Sequence, residues 1–145
     1  MRHVTWAMAL AAMVPSACPA AAAAQVEVAN ARPPVLVFFD WGKPDIGSDA
    51  ARELDAVAAD FRAAPAQRLT VSGHSDRSGS AAGNRRSATR RAAAVAAYLA
   101  QRGVPPSAIQ LASFGEERPL VPTADGVREP QNRRVEIGFG PAAGQ

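Results

Sequence analysis

Between Leu69 and Leu99 the apolar repeat changes from the spacing of a strand to that of a helix, with a polar loop between. Leu69, Val71 and Gly73 alternate with Thr70 and Ser72, which predicts a strand with one face covered. His74-Ser75-Asp76-Arg77-Ser78-Gly79-Ser80 is dense in turn formers and predicts a loop. From about Asn84, the residues Ala88, Ala92, Val95, Ala96 and Leu99 recur at helical spacing. Asp76 stands just past the strand. Arg91 shares one helical stripe with Asn84, Ala88 and Val95. A long helical side chain leans toward the helix N-terminus, so Arg91 is expected to point at the loop carrying Asp76. One carboxylate and one guanidinium facing a shared cleft suit a zwitterion: the first takes an ammonium, the second grips a carboxylate with two prongs. The free N–H groups of the helix start offer a further anion contact.

The flanking segments build a small domain around this unit. Val35 to Asp40 is a β-branched and aromatic run, predicted as a strand covered on both faces. Ser48 is predicted to cap a helix running to about Ala63, with Asp49 in its first turn and Leu54, Val57, Ala58 and Phe61 as its buried face. Gly103 and Pro105-Pro106 stop the second helix. Ile109 to Phe114 predicts a third strand and Asn132 to Phe139 a fourth, separated by a long polar loop. The order is β-α-β-α-β-β. Right-handed crossovers place both helices on one face, so an α/β (α+β) two-layer sandwich with a small mixed sheet is expected.

The ends read differently. Residues 1–24 are predicted to be an export signal: Arg2 gives a positive start, Trp6 to Val14 is a short apolar segment, and Ala22-Ala23-Ala24 precedes the cut. That segment is too short to span a bilayer, although a retained anchor helix is the alternative. Residues 25–33 form a lead-in, 34–140 the domain and 141–145 a tail. Cys18 is the only cysteine, so no internal disulfide forms. Val14-Pro15-Ser16-Ala17-Cys18 is faintly similar to a lipoprotein cleavage box, but Pro15 stands where that box has leucine. The cysteine is therefore read as leaving with the leader.

Composition narrows the function. A pI near 10 invites a nucleic-acid reading. The charges oppose it: 16 basic against 13 acidic residues, and loss of Arg2 with the leader leaves a surplus of two. No nucleic-acid partner is expected. His74 is the one histidine outside the leader. His74-Ser75-Asp76 has the ingredients of a catalytic triad, but adjacent residues on an extended segment point to opposite sides. With one histidine and no mature cysteine, neither an enzyme nor a transition-metal site is expected, and no cofactor is implied.

Gly73-His74-Ser75-Asp76, Gly79-Ser80, Asn84 and Arg91-Ala92 resemble the GHTDxxGS…N…xRRA signature of the OmpA-like (OmpA/MotB/Pal) peptidoglycan-binding domain. Val37-Phe38-Phe39-Asp40 is similar to that family's first-strand YFDF motif, Phe114-Gly115-Glu116-Glu117-Arg118-Pro119 to its (Y/F)GExxP turn, and Gln131 to Ile137 to its closing QNRRVEI. The likeness runs from about Pro34 to Phe139. It implies the same two-layer fold and a non-covalent grip on diaminopimelate, the cross-linking amino acid of the peptidoglycan stem peptide. Asp76 matches the residue that takes its amino group and Arg91 the residue that holds the adjacent carboxylate. Asn84 matches an asparagine near the helix start, which also suits a helix cap. Asp40 and Phe39 match the first-strand motif that borders the family's cleft, although Phe39 suits plain core equally well, and Ser75 keeps the hydroxyl of the usual threonine. Asn132-Arg133-Arg134 is read as structural. The pattern departs at Gly83, where tyrosine is usual, at Ser87-Ala88 for Leu-Ser, and at Gly42 for aspartate. These changes are expected to loosen the start of the helix and one cleft wall. The expected role is anchoring or stabilising the cell envelope, from the periplasm or in association with the outer membrane. The alternative is the same fold serving as an interaction module for other envelope proteins.

Overall fold

The computed structural model describes residues 32–65 and 67–140. The expected leader with Cys18, most of the lead-in and the tail at 141–145 lie outside the described residues. The elements run β1 (Val35–Phe38), α1 (Ser48–Ala63), β2 (Arg68–His74), α2 (Ala81–Gln101), β3 (Ile109–Gly115) and β4 (Arg134–Gly140). Short 3-10 turns at Pro106–Ala108 and Pro130–Asn132 lead into β3 and β4.

The four strands form one mixed sheet in the order β1-β4-β2-β3. β4 lies antiparallel to both β1 and β2, and β2 lies parallel to β3. Both helices pack on one face: Leu54, Val57 and Phe61 of α1 and Val95 and Leu99 of α2 join Leu69, Val71, Val135 and Ile137 of the sheet in a single core. Full burial of each large aliphatic side chain contributes about 1.5–3 kcal/mol. The expected β-α-β-α-β-β sandwich is the fold observed.

Four boundaries differ from expectation. β1 is an edge strand that ends at Phe38, and Phe38 is half exposed. Its apolar run suggested cover on both faces, but both helices lie on the same side of the sheet and Phe38 faces the other. α2 begins at Ala81, three residues before Asn84, because the Ser80 hydroxyl accepts from the Gly83 N–H at 3.1 Å and caps the helix. The cap is therefore Ser80, not Asn84, and Gly83 sits within a formed first turn. Ser48 is itself helical in α1, with Gly47 in the cap position and no side-chain cap bond. Asn132 precedes β4 rather than opening it. Its amide is spent on the β3–β4 loop, accepting from the Leu120 and Val121 N–H groups at 2.8 Å and donating to the Val121 carbonyl at 2.7 Å.

Two glycines let α2 lie close on the sheet. A Cβ on Gly73 would fall 2.1 Å from the Ala88 carbonyl oxygen, and one on Gly115 would fall 3.3 Å from the Arg85 Cα. The helix axis is thereby drawn down onto the end of β2, where Asp76 begins the loop.

Candidate functional site

Asp76 leaves the end of the central strand β2 and is 3% exposed. Its carboxylate is held on both oxygens. Oδ1 accepts from the Ser78 hydroxyl at 2.6 Å and the Ser78 N–H at 3.3 Å. Oδ2 accepts from Arg133 Nη1 at 2.9 Å and from the Glu129 N–H at 3.3 Å. Burial works against the ionised form, but the bonds from Ser78 and Arg133 outweigh it and hold the carboxyl below its usual range. The turn-forming role of an aspartate at this place and its exposure to the cavity therefore coexist.

Arg91 follows the expected stripe: Asn84, Ala88, Arg91, Val95 and Leu99 are all buried on one face of α2. Its side chain leans back toward β2, where Nη1 donates to the His74 carbonyl at 3.3 Å, and its guanidinium lies 5.9 Å from the Phe39 ring centre. Nε is buried with no hydrogen-bond partner. Burial pulls the guanidinium pKa down, the positive charge of Arg133 adds to this, and Asp76 opposes it.

Asp76, Arg91, Asn84 and Ser75 line one cavity of about 230 Å³. Opposite charges fifteen residues apart in sequence thus converge, as the helical stripe predicts. Ser75 contributes a buried hydroxyl with no partner, its backbone N–H being tied to the Gly115 carbonyl at 2.8 Å. Asn84 lines the wall while its amide donates to the Glu116 carboxylate, which fastens the start of α2 to the turn after β3.

Asp40 is not among these residues. It lies on an adjacent, wider groove with Phe38, Phe39, Lys43 and the start of α1. The chain turns only after Asp40, where the Lys43 N–H donates to the Asp40 carbonyl at 3.4 Å, and that turn puts Trp41 and Gly42 on the cavity instead. Two residues not assigned to the site from sequence line the cavity: Trp41, passed over there, and Arg133, read there as purely structural. Trp41 forms its rim, with the Arg128 guanidinium 4.1 Å from its ring centre and Nε1 donating to the Ser78 hydroxyl at 3.4 Å. Arg133 forms a second basic wall. Its position follows from register: β4 pairs Val135 with Gly73 of β2 and with Val37 of β1, and the Phe39 N–H donates to the Arg133 carbonyl at 2.9 Å. A residue two before Val135 must then sit between the ends of β1 and β2. The QNRRVEI run was the signal, but nothing in it distinguishes a strand anchor from a cavity wall.

His74 takes no part in the cavity. It lies on the opposite face of the sheet, stacked on Phe114 with ring centres 5.4 Å apart, so His74, Ser75 and Asp76 form no relay. The ring nitrogens are buried beside the Arg118 backbone, and the Glu136 carboxylate is 3.8 Å from Nε2. Burial pushes the imidazole pKa below its ordinary 6.5, the Arg134 guanidinium adds to this, and Glu136 partly opposes it. The unfolded chain therefore binds this proton first, and folding stability is expected to fall as pH drops below about 6.5, by at most about 1.4 kcal/mol per pH unit. His74→Leu, which keeps the packing on Phe114, is expected to flatten that slope in urea titrations between about pH 5 and 6.5. An unchanged slope would assign the loss to another group. Among the described residues, no cluster of His, Cys, Asp and Glu is placed to hold a metal ion.

The model of the OmpA family matches residues 38–133 of this chain. An outer membrane protein of Gluconacetobacter diazotrophicus is 44% identical over 109 residues, which cover 70% of this chain and 29% of that protein. The peptidoglycan-associated lipoprotein of Pseudomonas aeruginosa is 38% identical over 100 residues, covering 69% of this chain and 59% of the relative. The chain thus spans less than two thirds of the length of these two relatives. Among solved structures, the peptidoglycan-associated lipoprotein of Burkholderia pseudomallei matches with a TM-score of 0.67 at 25% identity, covering 72% of this chain and 88% of that one. The C-terminal domain of Helicobacter pylori MotB matches with a TM-score of 0.65 at 25% identity, over 73% and 84% of the two chains. With its motifs, strand order and family model in agreement, the chain belongs to the OmpA family.

Proposed function

We propose that this chain is a non-catalytic peptidoglycan-binding domain that holds the diaminopimelate of a stem peptide and so anchors or stabilises the cell envelope. The observation that carries the reading is the shared cavity of Asp76 and Arg91. At about 30 Å³ per water, its volume gives room for an amino-acid head group. Asp76 offers negative charge to an ammonium, and Arg91 and the Ser75 hydroxyl offer donors to a carboxylate. Relatives named for association with peptidoglycan, and one named as an outer membrane protein, support an envelope setting. No helix among the described residues is long and apolar enough to cross a membrane.

Co-sedimentation with purified sacculi tests the proposal. Arg91→Ala is expected to weaken binding by at least about tenfold, the equivalent of one charge-assisted contact. Free meso-diaminopimelate is expected to compete, and its carboxyl-amidated form to compete poorly. A variant that pellets as well as the parent overturns the site. Many copies on one polymeric wall add avidity, so the comparison belongs at low protein loading. The second reading is the same fold docked on another envelope protein with the cavity unused. The full engagement of Asp76 by its own neighbours favours it. It requires that the parent itself fail to pellet with sacculi.

A further inference from the structure

Trp41 is the one tryptophan among the described residues, and it stands 54% exposed at the mouth of the cavity. A single exposed apolar side chain says little by itself. This one is held from two sides. Its Nε1 donates to the Ser78 hydroxyl at 3.4 Å, and the Arg128 guanidinium stacks 4.1 Å from its ring centre. The Ser78 hydroxyl in turn donates to Asp76 Oδ1 at 2.6 Å, so one hydroxyl separates the indole N–H from the cavity's carboxylate. The loop that carries Arg128 is tied to the same segment. The Gly126 N–H donates to the Arg77 carbonyl at 2.7 Å, and Arg77 Nε donates to the Asp125 carboxylate at 2.7 Å. An aromatic surface fixed in advance loses little freedom when a ligand covers it.

The chemistry of this rim selects among ligands. An ammonium is repelled there by Arg128. An anion gains nothing from the negative face of an indole ring. A pyranose uses both groups: one of its faces is a plane of C–H bonds that lies flat on an aromatic ring, and its edge carries hydroxyl and acetamido oxygens that accept from a guanidinium's donors. A stem peptide is joined through its first residue to a muramic acid. With the third residue in the cavity, two residues, about 7 Å of extended chain, lead out to the sugar. We infer that Trp41 and Arg128 form a saccharide subsite, which takes an N-acetyl sugar of the glycan strand while the cavity holds the stem peptide. This inference rests on the wall-binding proposal and adds a second ligand class at a surface outside the charged pair.

Two ligands test it: the tripeptide with meso-diaminopimelate, and the same tripeptide carried on its N-acetylglucosaminyl-N-acetylmuramic acid disaccharide. Calorimetric titration of the full chain is expected to show the disaccharide form bound about three- to tenfold more tightly. Trp41→Ala is expected to remove that preference, and Trp41→Phe, which keeps a ring and lacks the N–H, to retain most of it. If Trp41 merely positions Ser78 and Asp76, both substitutions lower the two affinities together and preserve their ratio. That result, or a parent that binds the two forms equally, overturns the inference and leaves wall binding intact. A second measurement on the parent does not depend on a variant folding. Tri-N-acetylchitotriose, a sugar with no peptide, is expected to quench and shift the tryptophan emission. Trp41→Phe, which keeps Trp6, is expected to show no such response. Parent emission that stays unchanged up to about 10 mM sugar overturns the subsite whatever the tripeptide does. A parent that responds to chitotriose and binds the disaccharide form, with no affinity for the bare tripeptide, keeps the subsite and overturns the cavity reading.

Discussion

Gly73→Ala is expected to cost the domain at least about 3 kcal/mol of folding stability, a fall in Tm of about 12 °C or more. The added Cβ would lie 2.1 Å from the Ala88 carbonyl oxygen and 2.7 Å from its carbonyl carbon. Both are backbone atoms in the middle of α2, so no rotamer change relieves the overlap. The helix would have to rise by roughly 1 Å, and close-packed interiors resist such a shift. Leu69 and Val71 of β2 and Val95 and Leu99 of α2 are fully buried between the same two elements, so lifting the helix opens gaps along the whole seam. Alanine loses less chain entropy than glycine on folding, but that gain is about 0.4–1 kcal/mol and does not offset the clash. Gly138→Ala is the control. It also places alanine for glycine in a strand of this sheet, and its Cβ meets nothing within 4 Å. It is expected to be neutral or slightly stabilising. Thermal melts followed by circular dichroism decide the matter, and a Gly73→Ala midpoint within a few degrees of the parent would show that α2 is free to ride up. Because Arg91 sits one turn beyond Ala88 on the same helix, a domain that survives with α2 displaced should also lose its grip on sacculi.

The readable part of the sequence was the part governed by local period. Leu69 and Val71 alternate, Leu54, Val57, Ala58 and Phe61 repeat as a helix, and these patterns alone yield the element order and the core. The same logic placed Arg91, because a helical stripe and a backward lean are local properties. What stayed hidden depended on facts outside any local window. The run ending at Phe38 looks the same whether one face or both are covered, and only the absence of a second helical layer among the described residues leaves Phe38 half exposed. Ser80 escaped notice as a cap because glycine rather than glutamate or glutamine stands three residues on, where a capping box would have declared the helix start. Arg133 required the strand order. β4 is last in sequence yet lies between β1 and β2, and only that insertion brings Arg133 to Asp76, fifty-seven residues away. Asp40 shows the converse. It is adjacent in sequence to the cavity-lining Trp41 and Gly42, but the turn that brings those two to the cavity begins only after Asp40, which stays with Phe38 and Phe39 on the neighbouring groove.

Asp76 and Arg91 are expected to respond to removal in opposite ways in folding stability, although both substitutions are expected to weaken sacculus binding. Asp76→Ala takes the anion away from Arg133 and leaves the N–H groups of Ser78 and Glu129 facing a hole. Removing one partner of a buried pair leaves an uncompensated charge, and about 3–5 kcal/mol of stability is expected to go with it. Asp76→Asn keeps the shape and one acceptor, so its loss is expected to be smaller, about 1–3 kcal/mol. Arg91→Met removes a cation that burial disfavours, that Arg133 repels, and whose Nε has no partner. Its stem is replaced by one of similar length, so folding stability is expected to stay level or rise while sacculus binding weakens. Acid separates the two further. The Asp76 carboxyl is held below its usual range, so its contribution to stability is complete above about pH 4 and disappears as pH falls through the lowered value. Asp76→Ala should therefore flatten the stability profile below about pH 4, whereas Arg91→Met should leave a slope there. Urea unfolding across that range, read beside sacculus binding, distinguishes a pair kept for the fold from a pair kept for a ligand. If Arg91→Met were as destabilising as Asp76→Ala, the arginine would be holding the domain together, and the case for a cavity built to receive a carboxylate would lose its support.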